Sequence, residues 1–127
     1  TPFRQPKHIQ KAISLFKKSK ADSVVSVTEI PGDYHPLWAV KIDKQGIATL
    51  AVTNKPIHKR ISRRQDLPKL HSHNGAIYLL KTKLLFAKNP SLYGKKVAAY
   101  IMEKKYSVNI NSSEDWGLAE LISKNYE

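Results

Sequence analysis

One stretch of this sequence gathers side chains whose types and spacing could do chemistry. It begins Arg63-Arg64-Gln65-Asp66, passes through Pro68 to His71-Ser72-His73-Asn74-Gly75, and enters the apolar run Ala76-Ile77-Tyr78-Leu79-Leu80. Guanidinium forks match carboxylates and phosphates, the amides of Gln65 and Asn74 add donors and acceptors, and Gly75 lets a ligand approach the backbone. From the residues alone this is an anion-recognition loop at the edge of a sheet, or a solvated basic loop ahead of a core strand. His71 and His73 would share a face of a strand and could form a metal pair. No carboxylate or cysteine lies close in sequence to complete such a site, so loop histidines are the competing reading.

The chemistry that composition excludes is as informative. The chain has no cysteine, hence no disulfide, thiol nucleophile or cysteine zinc site. It has no G-x-S-x-G elbow, and its acids are scattered instead of paired for general acid–base work. With 22 Lys and Arg against 10 Asp and Glu, the net charge is +12, which favours anionic company: nucleic acid, another polyanion, or a phosphorylated or carboxylated small molecule. The charge is dispersed, and no helix-turn-helix, zinc-finger or aromatic-basic RNP pattern is legible, so nucleic acid is the weaker expectation. Nothing reads as a signal peptide or an eighteen-residue apolar span, so the expectation is a cytoplasmic protein without a membrane segment.

The elements that must position these residues follow in chain order. Residues 7 to 20 read as an amphipathic helix, with Pro6 at its first turn and Ile9, Ala12, Ile13 and Phe16 on the inward face. Ser23 to Ile30 is a β-branched run and reads as a buried strand, broken by Pro31-Gly32-Asp33. Trp38–Ile42 and Ile47–Val52 flank Asp43-Lys44-Gln45-Gly46 as a hairpin. Beyond the central loop, Thr82 could cap a short helix over Lys83–Lys88 that turns Leu84, Leu85 and Phe86 inward. Val97–Met102 reads as a strand, and Tyr106–Asn111 alternates as another. A capping box of Ser112 and Asp115 opens a last helix over Ser113–Ser123, burying Leu118, Ala119 and Ile122. A helix leading into a strand is an αβ unit, whose natural home is a sheet covered by helices.

Three stretches together resemble the cytidylyltransferases that activate sialic acids, the CMP-acylneuraminate synthetases. They are Ala21-Asp22-Ser23-Val24-Val25-Ser26-Val27, the central Arg63–Tyr78 segment, and Tyr106–Asn111 followed by Glu114–Glu120. The resemblance spans nearly the whole chain and covers the later, C-terminal part of such an enzyme. It implies an α/β fold, part of a Rossmann-like three-layer α/β/α sheet, with residues 1–127 as one domain. Residues 34–62 would be an inserted β-hairpin arm for dimerisation. The implied reaction is CTP plus an acylneuraminate giving the CMP-sugar and pyrophosphate with Mg²⁺. The loop that grips the CTP phosphates has no counterpart here, so the expected partner is a second copy or a separate N-terminal half, and this part alone is expected to be inactive. The resemblance carries Arg64, Gln65, Asn74 and Tyr78 over to the sugar pocket. It carries Asn109 and Asn111 onto a pair of metal-holding aspartates; an amide oxygen is a neutral and weaker ligand for Mg²⁺ than a carboxylate. A non-enzymatic basic domain for nucleic acid or another polyanion is the alternative function.

Overall fold

The computed structural model describes residues 1–124, and the strand at its centre is β1, Ser23–Glu29. Its first five residues are all buried: Val24, Val25 and Val27 supply the apolar run, and the hydroxyls of Ser23 and Ser26 are hydrogen-bonded inside the protein. Removing a valine side chain such as Val24 from water contributes about 1.5–3 kcal/mol. On one side β1 pairs in parallel with Val97–Ile101, in the register Ser23↔Val97 to Val27↔Ile101. On the other lies the ten-residue strand His71–Leu80. That pair is antiparallel: Asp22 accepts from Lys81 N–H at 3.0 Å, and four residues on, Ser26 meets Ile77. With the hairpin strands Val40–Ile42 and Ala48–Leu50 numbered β2 and β3, these flanking strands are β4 (His71–Leu80) and β5 (Val97–Ile101). The sheet order is β4-β1-β5, and the arrangement is mixed α/β.

The chain divides into two units, residues 1–28 with 72–127, and residues 29–71. In the first, helix α1 (Pro6–Ser19) packs on the sheet, and the core gathers Ala12, Val24, Ala76, Ile77, Met102 and Tyr106. Proline occupies the first turn, and Gln5 N–H donates to His8 Nδ1 at 3.0 Å, so a histidine completes the capping box. The inward face is rotated from the expectation. His8 and Ala12 are buried while Ile9 and Ile13 are 43% and 38% exposed. The histidine is favoured inside because its ring lies edge-on to Tyr106, with centroids 4.7 Å apart.

Two expected elements are absent. Thr82–Leu84 is a single 3₁₀ turn with no side-chain cap, and Leu85 and Phe86 are exposed; Asn89-Pro90 follows too soon for a helix to gain its first stable turns. Tyr106–Asn111 is not a strand: Lys104–Tyr106 form a 3₁₀ turn and residues 107–110 run irregularly to the next helix, and among the described residues no strand pairs with them. That helix, α2 (Ser113–Ser123), has the expected Ser112–Asp115 capping box. It buries Ala119, whereas Leu118 is 52% exposed, so the apolar face is narrower than the sequence suggests. Among the described residues no helix is long and apolar enough to cross a membrane.

The second unit contains the antiparallel pair β2–β3, in the register Val40↔Leu50, Lys41↔Thr49 and Ile42↔Ala48. Asp43 Oδ1 accepts the N–H groups of Gln45 and Ile47, both at 2.9 Å, and Gly46 takes φ +82°, so the turn chemistry is local. Leu50 is buried, while Val40, Ile42 and Ile47 stay exposed.

Candidate functional site

In β4 the sequence motif divides by direction. Asn74 is 2% exposed, and every polar position of its amide is used inside the protein. Its Oδ1 accepts from Ser26 Oγ at 2.6 Å and from Ala76 N–H at 3.2 Å. Its Nδ2 donates to Ser107 Oγ at 2.9 Å and, weakly, to Met102 Sδ at 3.4 Å. Ser107 passes the chain on to Glu103 C=O, and Ser26 receives Ile77 N–H at 2.7 Å. The bonds therefore run in one direction, from Ile77 N–H through Ser26, Asn74 and Ser107 to Glu103. They tie β1, β4 and the segment after β5 together. Here a serine side chain takes the place of a ladder carbonyl, and Gly75 at φ +68° supplies the backbone turn that permits it.

Tyr78, four residues along the same strand, is 43% exposed. The His73 ring lies between it and Tyr93, with centroids 6.3 Å from Tyr78 and 6.0 Å from Tyr93. Tyr93 lies outside the segment singled out by sequence. Its carbonyl accepts from Ser23 Oγ at 2.6 Å, and the turn after it is held by Asp22, whose Oδ2 takes the N–H groups of Lys95 and Lys96 at 3.1 Å. Lys81 Nζ bonds Asp22 Oδ1 at 3.0 Å, and this contact with the two backbone donors pulls the Asp22 carboxyl down to about 2. Gly94, at φ +70°, is required at that turn, because a Cβ there would lie 2.6 Å from the Asp22 Cβ. A signal for Tyr93 was present in Ser91-Leu92-Tyr93-Gly94, an aromatic ring at a glycine turn, but nothing in the sequence joins it to a strand fifteen residues earlier.

An open groove of about 250 Å³ lies between α1 and Ala76–Leu79, Tyr78 included, and is also lined by Ile9, Ile13 and Arg4. Arg4 donates to the Ala76 carbonyl, so it is a local clasp on the strand.

Arg64 and Gln65 belong to the second unit, in the 3₁₀ turn Arg64–Asp66, and both are exposed. The Arg64 stem crosses Gly32, where a Cβ would lie 2.7 Å from its Cγ and Cδ. Its Nη2 lies 2.6 Å from Asp33 Oδ1. His35, 3% exposed, bonds Pro68 C=O through Nε2 at 2.9 Å, and Trp38 Nε1 donates to Ile61 C=O at 2.7 Å beneath the Arg60 guanidinium.

Asn109 and Asn111 lie on irregular backbone, so the one-sided display of a strand pair is not available to them. The nearby carboxylate is already engaged: Asp115 Oδ2 accepts from Asn111 N–H at 2.9 Å and Ser112 N–H at 3.0 Å. The Asn111 N–H bond leads in holding the Asp115 carboxyl below the usual carboxylate range. Among the described residues no group of three or more His, Cys, Asp or Glu could hold a metal, and His71 with His73 gains no third ligand. Two neutral amides beside a carboxylate used as a helix cap do not fit Mg²⁺, which is bound through carboxylates.

No protein-family model matches the chain. Curated relatives do. An N-acylneuraminate cytidylyltransferase of Streptococcus agalactiae serotype V is 28% identical over 116 residues, covering 91% of this chain and 26% of the relative. N-acylneuraminate cytidylyltransferase A of Danio rerio is 32% identical over 120 residues, covering 94% and 26%. The post-translational flagellin modification protein B of Campylobacter coli is 24% identical over 123 residues, covering 97% and 49%. The reading as a basic polyanion-binding domain finds no support among these relatives. The chain thus spans about a quarter of the length of the cytidylyltransferases it matches, and over nine-tenths of its own length it is similar to a part of proteins named N-acylneuraminate cytidylyltransferase.

Proposed function

We propose that this chain is the sugar-recognising part of a cytidylyltransferase of nonulosonic (sialic) acid activation, in which CTP and an acylneuraminate give a CMP-acylneuraminate and pyrophosphate. The observation that carries the reading is the match to relatives of that name through 91–94% of the chain. In this reaction a sugar hydroxyl oxygen bonds to the α-phosphorus of CTP while the bond to pyrophosphate breaks. The protein's contribution to such a transfer is mainly alignment and charge.

In this reading Arg64 and Gln65 of the second unit supply groups suited to the acid's carboxylate and hydroxyls, and Tyr78 of the first unit, with His73 and Tyr93 beside it, supplies an exposed ring suited to packing on a sugar. Asn74 acts through the shape it gives β4. The nucleotide-phosphate site is supplied by sequence outside these 127 residues, within a Rossmann-like three-layer sheet that they complete, and the chain alone is inactive. Residues 34–62 form the dimer arm, a role that suits the exposed Val40, Ile42 and Ile47 of the hairpin. The reading places the protein in the cytoplasm, where CTP is available to it. No step is assigned to a metal held by Asn109 and Asn111.

Thermal unfolding of the chain with a free acylneuraminate, a CMP-sugar or CTP, each at low and high salt, tests the reading. A ligand at a hundredfold excess over Kd stabilises by about 2.7 kcal/mol. The expected result is a salt-resistant rise with the sugar ligands. A rise only with CTP, or only with polyanions at low salt, would refute it.

A further inference from the structure

Arg64 is held in a way that the fold of its loop does not require. Residues 30–38 and 61–70 of the second unit are joined by three bonds that leave Arg64 out. These are Ile30 N–H to Leu70 C=O at 2.9 Å, His35 Nε2 to Pro68 C=O at 2.9 Å, and Trp38 Nε1 to Ile61 C=O at 2.7 Å. Between them Gly32 leaves room for the arginine stem, and Asp33 receives the guanidinium head through one nitrogen and one oxygen. Both side chains remain open to water, at 64% and 66% exposure. An exposed ion pair with one close contact contributes little to stability. Its effect falls on the arginine itself: stem direction set, charge partly neutralised, and the remaining N–H donors left to a fork that a second carboxylate can fill bidentately.

We propose that Asp33 is a built-in competitor for Arg64, a latch that holds the guanidinium in the free protein and is displaced by the carboxylate of an acidic sugar. The latch sets the affinity for the acid and keeps Arg64 from capturing weaker anions. This rests on the reading that Arg64 meets the acid's carboxylate. Displacement is cheap because the pair is exposed, and the outgoing Asp33 is left to water without a burial penalty.

Calorimetric titration of the full chain with N-acetylneuraminate tests this in the wild type, Asp33→Asn, Arg64→Gln and the double variant. Removing the competing charge is expected to tighten binding about two- to fivefold, the range an exposed pair supports. Arg64→Gln is expected to weaken binding at least tenfold, since it removes a charge-assisted bidentate contact. In the Arg64→Gln background the gain from Asp33→Asn is expected to vanish. If Arg64→Gln weakens binding while Asp33→Asn leaves it unchanged or weaker, the latch is overturned and the sugar site stands. If the Asp33→Asn gain persists without Arg64, it is a general charge effect and the latch is again overturned. If Arg64→Gln changes nothing, or no variant binds the sugar, the sugar-site reading itself falls and takes the latch with it.

Discussion

Replacing Asn74 by alanine separates a scaffold residue from a ligand contact, because the two roles predict opposite results. The side chain is 2% exposed and saturated with hydrogen bonds, so truncation strands partners in the interior. Ala76 N–H, itself on a buried residue, loses its acceptor, and such an orphan costs about 1–3 kcal/mol. Ser26 suffers less, since its hydroxyl can turn to Ile77 C=O at 3.3 Å, and the half-buried Ser107 can turn to water. The void left by three heavy atoms adds roughly 1 kcal/mol. The sum is about 2–4 kcal/mol, set against about 6–19 kcal/mol for the stability of 127 residues.

Urea unfolding of the full chain, followed by the fluorescence of Trp38 and Trp116, reads this directly. With a slope of about 1–3 kcal/mol per molar urea, the midpoint is expected to fall by roughly 1–2 M at unchanged slope. Tyr78→Ser is the mirror case. The ring is 43% exposed, so the midpoint is expected to move far less while sugar binding is lost. An unchanged midpoint for Asn74→Ala together with lost sugar binding would refute the reasoning, and would make Asn74 a ligand contact after all.

Further predictions concern acid and metal. His8 Nδ1 accepts the Gln5 N–H and is 4% exposed. Burial first, then Lys7 and Lys11, lower its pKa from 6.5 against the pull of Glu103. The unfolded chain therefore takes up that proton before the folded one, and stability is expected to fall as pH drops below 6.5 towards the lowered folded value. Urea midpoints from pH 8 down should show that fall in the wild type and not in His8→Gln; equal profiles would sink the assignment. Asp22 has the same sign but a separate window, its contribution being complete above 3.8 and lost as pH falls through about 2. For the metal, Mn²⁺ titration by electron paramagnetic resonance is expected to find no binding that depends on Asn109 and Asn111. Binding by the wild type that disappears in Asn109→Ala/Asn111→Ala would overturn the donor-set argument.

Much of the fold was legible because hydrophobic pattern and local chemistry agreed. The unbroken Ser23–Val27 run, Pro6 ahead of α1, the turn of Asp43 and Gly46, and the Ser112–Asp115 box each specify their element with side chains near in sequence. What escaped depends on partners far along the chain. An inward histidine in α1 needs Tyr106 to pack against, and Asp22 needs the turn after Tyr93. Tyr106–Asn111 shows how alternation misleads, since a period of two makes a strand only where a neighbour offers a ladder. The candidate site was found in part for the same reason. Arg64 and Gln65 announce themselves by residue type, whereas Gly32 and Asp33, which direct Arg64, are some thirty residues away and look like an ordinary turn.

The Asn-Gly-Ala-Ile-Tyr segment shows that residues of one polar motif need not share one direction. Asn74 and Tyr78 are four residues apart on one strand, so strict alternation would put both on one face and both within reach of one ligand. The observed burial is different: Asn74 buried, Gly75 exposed, Ala76 and Ile77 both buried, Tyr78 exposed. The phase slips once, where Ser26 Oγ takes the Ile77 N–H that a carbonyl would otherwise receive. The slip needs a glycine able to adopt φ +68° and a side-chain amide able to hold Ser26 from the other side, which are Gly75 and Asn74. The asparagine thus turns inward so that the tyrosine can turn outward, and the motif works as one device. A substitution at Asn74 would then lower ligand affinity only by way of stability and strand phase, whereas one at Tyr78 would do so directly.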